Sequence, residues 1–147
     1  MSGLPQQSAG VSPDASAAIR VLIVEDNPHI VEMYSYVLKK LAANDLKGNT
    51  PLEVHFAADG HGALAQLSER PFALVMTDLY MPVMDGFQLI ERIRLQDATK
   101  AVPVVAISAG GEDAKQRAIT AGANMFLRKP VRFAEVMDTV KSLLRIT

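Results

Sequence analysis

The chain has 147 residues, 49% hydrophobic and 21% charged, with a formal net charge of −1. This is the size and make-up of one globular domain with a single well-filled core. A charge so near zero gives no electrostatic case for nucleic acid or an anionic membrane surface, so any anion must be drawn by local groups. The absence of cysteine excludes disulfides, thiol nucleophiles and thiolate metal sites. His29, His55 and His61 lack the paired spacing of a zinc enzyme and read as solvated or half-buried side chains, with His29 alone falling beside the candidate site.

The first 18 residues, "MSGLPQQSAGVSPDASAA", have neither the basic start nor the apolar centre of a secretory leader. Their Ser, Ala, Gly, Gln and Pro content predicts a flexible tail, with a folded domain over 19–147. No apolar run approaches the ~20 residues that cross a bilayer. A cytoplasmic protein is expected.

From there strand and helix signals alternate. "RVLIVED" (20–26) is a continuous apolar run closed by acids. Asn27-Pro28 supplies an N-cap and a proline in the first helical position. The helix over 29–43 puts Ile30, Met33, Tyr34, Val37, Leu38 and Leu41 on one face, and "NDLKGNTP" (44–51) is loop. "LEVHFA" (52–57) alternates, which predicts a strand with Leu52, Val54 and Phe56 turned inward. A short helix over 60–69 follows, then the second continuous run, "FALVMTD" (72–78), and a helix over 85–96. "VPVVAIS" (102–108) is the third run, and the helix over 112–121 is closed by Gly122. "NMFLRKP" (124–130) is a short last strand. The final helix carries Phe133, Val136, Met137, Val140, Leu143 and Leu144 on one face.

Five strands alternating with five helices predict an α/β fold, a doubly wound parallel sheet covered on both faces. Right-handed crossovers leave few topologies. The continuous runs belong in the centre and the alternating strand at an edge, which gives the flavodoxin-like order 2-1-3-4-5.

The ligand site of such a sheet lies beyond the carboxyl ends of the strands, where the order reverses. Glu25 and Asp26 end the first strand and Asp78 the third, so three carboxylates are expected to converge. Like charges this close raise one another's pKa unless a cation sits among them. Hard oxygen donors point to Mg²⁺. The fourth strand ends in Ser108, a hydroxyl donor, and the fifth in Lys129, whose stem is long enough to lean across to Asp78. A carboxylate so surrounded suits conversion to an acyl phosphate, with Lys129 and the metal neutralising phosphoryl oxygens and Ser108 donating to one of them. Met81, Met84 and Met125 read as packing.

The motifs "VED" (24–26), "TDLYMPVMDG" (77–86), "ISAGG" (107–111) and "FLRKP" (126–130) together resemble the receiver domains of two-component response regulators, over residues 19–147. The resemblance implies a stand-alone signalling module, not an enzyme, in which Asp78 accepts a phosphoryl group from a sensor histidine kinase or a histidine phosphotransfer protein. It implies that Asp26, Asp78 and the Tyr80 backbone carbonyl bind Mg²⁺, with Glu25 acting largely through water. Ser108 and Phe126 would form a switch pair, and the Lys129-Pro130 bond would be cis. Output would pass through contacts with a downstream protein. A homodimer is possible, although Glu112, Asp113, Lys115, Arg117, Arg132 and Glu135 fix no pairing.

Three other readings are weaker. A phosphatase with an aspartyl nucleophile needs a second acid two residues on, where Tyr80 stands. A nucleotide-binding protein needs a glycine-rich phosphate loop, which is lacking. A receiver-fold interaction module working without phosphorylation would have no use for the acids, Ser108 and Lys129 together.

Overall fold

Three uninterrupted apolar runs need cover on both faces, and the fold provides it. The structure, a computed structural model, describes residues 18–45 and 51–145. Ten elements alternate along them: β1 (Ile19–Val24), α1 (Pro28–Asp45), β2 (Leu52–Ala57), α2 (Gly60–Glu69), β3 (Leu74–Asp78), α3 (Gly86–Leu95), β4 (Val104–Ser108), α4 (Glu112–Ala121), β5 (Met125–Arg128) and α5 (Phe133–Leu144). The strands form one parallel sheet in the order β2-β1-β3-β4-β5, the expected 2-1-3-4-5. The proposed tail lies outside the described residues apart from Ala18.

Helices α2, α3 and α4 cover one face, packing Ala63, Ile90 and Ala118 against Leu22, Val75 and Ala106. Helices α1 and α5 cover the other, packing Leu38, Leu41 and Val140 against Ile23, Met76 and Val105. Val21 to Val24, Leu74 to Met76 and Val104 to Ile107 are buried on both sides, as parallel central strands must be. Proline opens α1 behind the Asn27 cap, whose side-chain oxygen accepts the His29 N–H at 2.9 Å. Gly122 closes α4 at φ 123°, donating to the Ala118 and Ile119 carbonyls.

The edges depart from the simple pattern. Phe56 is 45% exposed, not turned inward with the half-buried Leu52 and Val54. The apolar stripe of α1 centres on the inner strands and leaves Phe56 in a groove with Val31, Ser35, Tyr36 and Lys39. Phe133, the first residue of α5, is 51% exposed and overhangs α1, with its ring 6.0 Å from that of Tyr36. Met81 and Met84 pack in the core, whereas Met125 on edge strand β5 is partly open.

One residue with no sequence signature ties the far end of the sheet together. Arg94, on α3, donates to the Gly122 carbonyl through two nitrogens at 2.8 and 3.0 Å. It also reaches the Lys100 and Val102 carbonyls and the Asn124 side-chain oxygen. That Asn124 oxygen accepts the Val104 N–H at 2.8 Å, so the guanidinium fork fixes the entrances to both β4 and β5. A Cβ on Gly122 would sit 2.7 Å from the Arg94 Cγ, a second reason for glycine there.

Removing the fork would strip several carbonyls of a charged donor. Arg94→Ala should lose about 2 kcal/mol of stability, a drop of several degrees in a thermal melt. Arg94→Lys should recover little of it, because an ammonium cannot reproduce the fork.

Candidate functional site

The carboxyl ends of β1, β3, β4 and β5 form one rim. Val24 pairs with Thr77 and Asp78 with Ile107, so Glu25 lies beside Asp78, next to the end of β4. The Lys129 N–H donates to the Ser108 carbonyl at 2.9 Å, locking the start of the β5–α5 loop to the end of β4. The following Lys129-Pro130 bond is cis.

From this anchor the Lys129 ammonium stands 3.5 Å from Asp78 Oδ1 and 3.6 Å from Glu25 Oε1. Glu25 is buried, and burial pushes its carboxyl above the ordinary carboxylate range. The Asn27 amide, which donates to Oε2, and Lys129 oppose that shift, while the charges of Asp78 and Asp26 add to it. Asp78 is mostly covered, and its Oδ1 accepts the Leu79 N–H at 2.9 Å. Its other carboxylate oxygen has no protein hydrogen bond among the described residues.

The sequence expectation of three gathered carboxylates is met only in part. Glu25 and Asp78 share Lys129, whereas Asp26 is exposed and acts on Glu25 through its field. Among the described residues no group of three acids or histidines is drawn close enough to hold a metal as placed. The donors still suit a hard divalent cation, being oxygens only, and the crowded negative charge has Lys129 as its one close counter-ion among the described residues. His29 is exposed at the start of α1.

Ser108 is fully buried, and its oxygen accepts the Gly110 N–H at 2.9 Å. Strand alternation puts Ser108, Ala106 and the partly buried Phe126 on the same face of the sheet, the one covered by α2, α3 and α4. The Tyr80 side chain is 60% exposed, its ring edge-on to Phe87, over which the Arg117 guanidinium stacks at 3.9 Å.

The loop from Leu79 to Gly86 is pinned at both ends. The Gly86 N–H donates to the Leu79 carbonyl at 2.8 Å, and a Cβ there would lie 2.3 Å from the Asp78 carbonyl oxygen, so only glycine fits. Asp85 and Gln88 form a reciprocal capping box at the start of α3. Its signature, an acid three residues before glutamine, stands in the sequence. Tyr34, read from sequence as a core residue, is 2% exposed, and burial and then the charges of Glu25 and Asp78 keep its phenol protonated. Helical side chains lean toward the helix N-terminus, which carries the Tyr34 ring toward the rim.

With this geometry, comparison with known proteins becomes specific. The family model described as the response regulator receiver domain matches residues 21–141. The chain is 32% identical over 129 residues to the phosphate regulon transcriptional regulatory protein PhoB of Escherichia coli, covering 87% of this chain and 52% of that one. It is 32% identical to the sensor histidine kinase RcsC of Salmonella typhimurium, over 90% of this chain and 13% of that one. Among solved structures, Vibrio cholerae chemotaxis protein CheY4 superposes with a TM-score of 0.74 at 30% identity, covering 86% of this chain and 99% of that one. The receiver domain of sensor histidine kinase PA1611 from Pseudomonas aeruginosa, with magnesium in its active-site cleft, gives 0.75 at 26%, covering 88% and 99%. The chain belongs to the response regulator receiver domain family, a family of signalling modules. It spans about half the length of PhoB and less of RcsC. Among the described residues no helix is long and apolar enough to cross a membrane.

The raised Glu25 carboxyl has a consequence for stability. A folded-state pKa above the unfolded value of about 4.3 means the folded protein holds this proton more tightly. The resulting stabilisation is fully present below that pH and lost as pH rises through the folded value. Thermal melts in chelator should therefore fall in midpoint as pH rises through that window, and Glu25→Gln should flatten the dependence. An unchanged slope in the variant would assign it to other groups.

Proposed function

We propose that this receiver domain is a phosphoacceptor: Asp78 takes a phosphoryl group from the phosphohistidine of a sensor histidine kinase or a histidine phosphotransfer protein. The observation that carries the reading is the Asp78 carboxylate itself. One oxygen is held by the Leu79 N–H and faced by Lys129, and the other takes no protein hydrogen bond among the described residues. That second oxygen attacks phosphorus while the N–P bond breaks and the imidazole departs with its electron pair. Kinase-type partners are supported by RcsC, whose name is that of a sensor histidine kinase, and by the Pseudomonas domain, which belongs to one.

Asp26, Asp78 and the Tyr80 carbonyl, with Glu25 through water, would hold Mg²⁺, which when bound offsets charge on the transferring oxygens. The Pseudomonas domain with magnesium in its cleft supports that assignment. Lys129, placed between two carboxylates, turns its ammonium to the arriving phosphoryl oxygens. Ser108 exchanges its role as acceptor of the Gly110 N–H for that of donor to one of those oxygens. Phe126, on the same face of the neighbouring strand, carries that movement toward the outer side of α4 and β5, where a downstream protein reads it.

Acetyl phosphate with Mg²⁺ tests the acceptor directly. The intact mass of the wild type should rise by one phosphoryl group, and Asp78→Asn should not gain it. A gain in the variant, or peptide mapping to another residue, would move the site.

Paired melts test the cation. Mg²⁺ at a hundred times its dissociation constant should stabilise the wild type by about 2.7 kcal/mol. Asp78→Asn should be stabilised less, having lost a charged donor. Equal shifts would remove Asp78 from the ligands.

A further inference from the structure

Tyr34 is a buried polar side chain for which the resting site has no partner. It is 2% exposed, and among the described residues its hydroxyl makes no hydrogen bond. Buried hydroxyls nearly always find a partner, because an unmet one loses its hydration without compensation. Burial, then the charge of Glu25 and then that of Asp78, keep the phenol protonated, so it stands near the acids as a donor. The first of those acids is thinly supported. Glu25 is buried, and its Oε2 accepts the Asn27 N–H at 3.1 Å. Its Oε1 has Lys129, at 3.6 Å, as its one partner among the described residues. Tyr34 and Lys129 line the same cavity, of about 460 Å³, between α1 and the loop after β5, so the phenol has space on the ammonium's side.

We propose that Tyr34 is a positioning residue for Glu25: its hydroxyl donates to Oε1 once Lys129 has turned to a phosphoryl group on Asp78. The role rests on the acceptor reading above, because the phosphoryl group is what draws Lys129 away. When the ammonium leaves, Glu25 is a buried carboxylate with one oxygen unmet, which is costly. Asp26 and Asp78 carry the wrong charge to help, and the Asn27 amide is already committed to Oε2. Tyr34 is the donor left beside it. No existing bond to the phenol is broken in the exchange, so the new one is a gain made only in the phosphorylated state. A hydroxyl unmet at rest and met after transfer therefore biases the domain toward the phosphorylated arrangement.

The test removes the hydroxyl with and without Lys129 in place. In chelator, Tyr34→Phe should melt no lower than wild type, since the hydroxyl has no bond to lose. Lys129→Met takes the ammonium from Glu25 permanently, so in that background Tyr34→Phe should lower the midpoint by a few degrees. A loss of the same size in both backgrounds would mean a packing role and overturn the exchange, as would no loss in either. The second arm uses beryllofluoride, a non-covalent stand-in for the phosphoryl group, titrated in saturating Mg²⁺. Tyr34→Phe should bind it about fivefold more weakly than wild type. Equal affinity would overturn the role, and this arm decides alone if Lys129→Met does not fold. A wild type that neither gains phosphoryl mass from acetyl phosphate nor binds beryllofluoride overturns the acceptor reading and the Tyr34 role with it. A wild type that does both, with equal beryllofluoride affinity in Tyr34→Phe, overturns the Tyr34 role only.

Discussion

The position of one ammonium, Lys129 between Glu25 and Asp78, governs how the rim of this sheet is organised. Two acids at the ends of neighbouring parallel strands repel one another, and one of them is buried. A buried carboxylate costs several kcal/mol unless it is paired and hydrogen-bonded. Lys129 supplies the pairing, and the Asn27 and Leu79 amides supply hydrogen bonds to Glu25 and Asp78 respectively. The contacts at 3.5 and 3.6 Å are looser than a direct charged hydrogen bond, which runs about 2.7–2.9 Å. The ammonium is therefore shared between the two carboxylates and bound tightly to neither.

That ammonium depends in turn on contacts outside the acidic cluster. The Lys129 N–H is tied to the Ser108 carbonyl, so the end of β5 is set by the end of β4. The entrances to those two strands are set by Arg94 through Val102, Gly122 and Asn124. Rigid strands carry position from one end of the sheet to the other. The loops at the rim can then differ in character: the capping box and Gly86 pin the ends of the loop after Asp78, while its tip at Val83 stands strained and exposed.

Family membership fixes the fold and the class of protein, and the shared fold places Glu25, Asp78, Ser108 and Lys129 at strand ends whatever the sequence between them. Two further positions beside the rim are notable in this chain. A tyrosine rises beneath the acids at position 34, and a valine occupies a turn that favours glycine or asparagine at position 83. Tyr34 packs in the core below the acids, whereas Val83 faces solvent.

Much of this was legible in the chain itself. Continuous apolar runs at 20–25, 72–77 and 102–107 required central strands, and the alternating run at 52–57 required an edge, so strand order followed from burial alone. The residues ending those strands fall on one rim because parallel strands share a carboxyl end, and strand order alone therefore puts Glu25, Asp78, Ser108 and Lys129 together. Periodicity does not say how far a helix reaches over an edge, so Phe56 and Phe133, each on an apolar face in the sequence, stand about half exposed. Nor could it say that Lys129 would occupy the space between Glu25 and Asp78, leaving Asp26 outside, because a side chain's final place depends on competing charges across three strands. Arg94 and the turn at Val83 were equally hidden: apart from the Asn124 side chain, their partners are backbone carbonyls, which every residue has. Sequence determined which chemistry meets at the rim, since residue type and strand order are written in it. Tertiary structure alone decided which charges touch and where the backbone is strained, since both depend on distances between segments far apart in the chain.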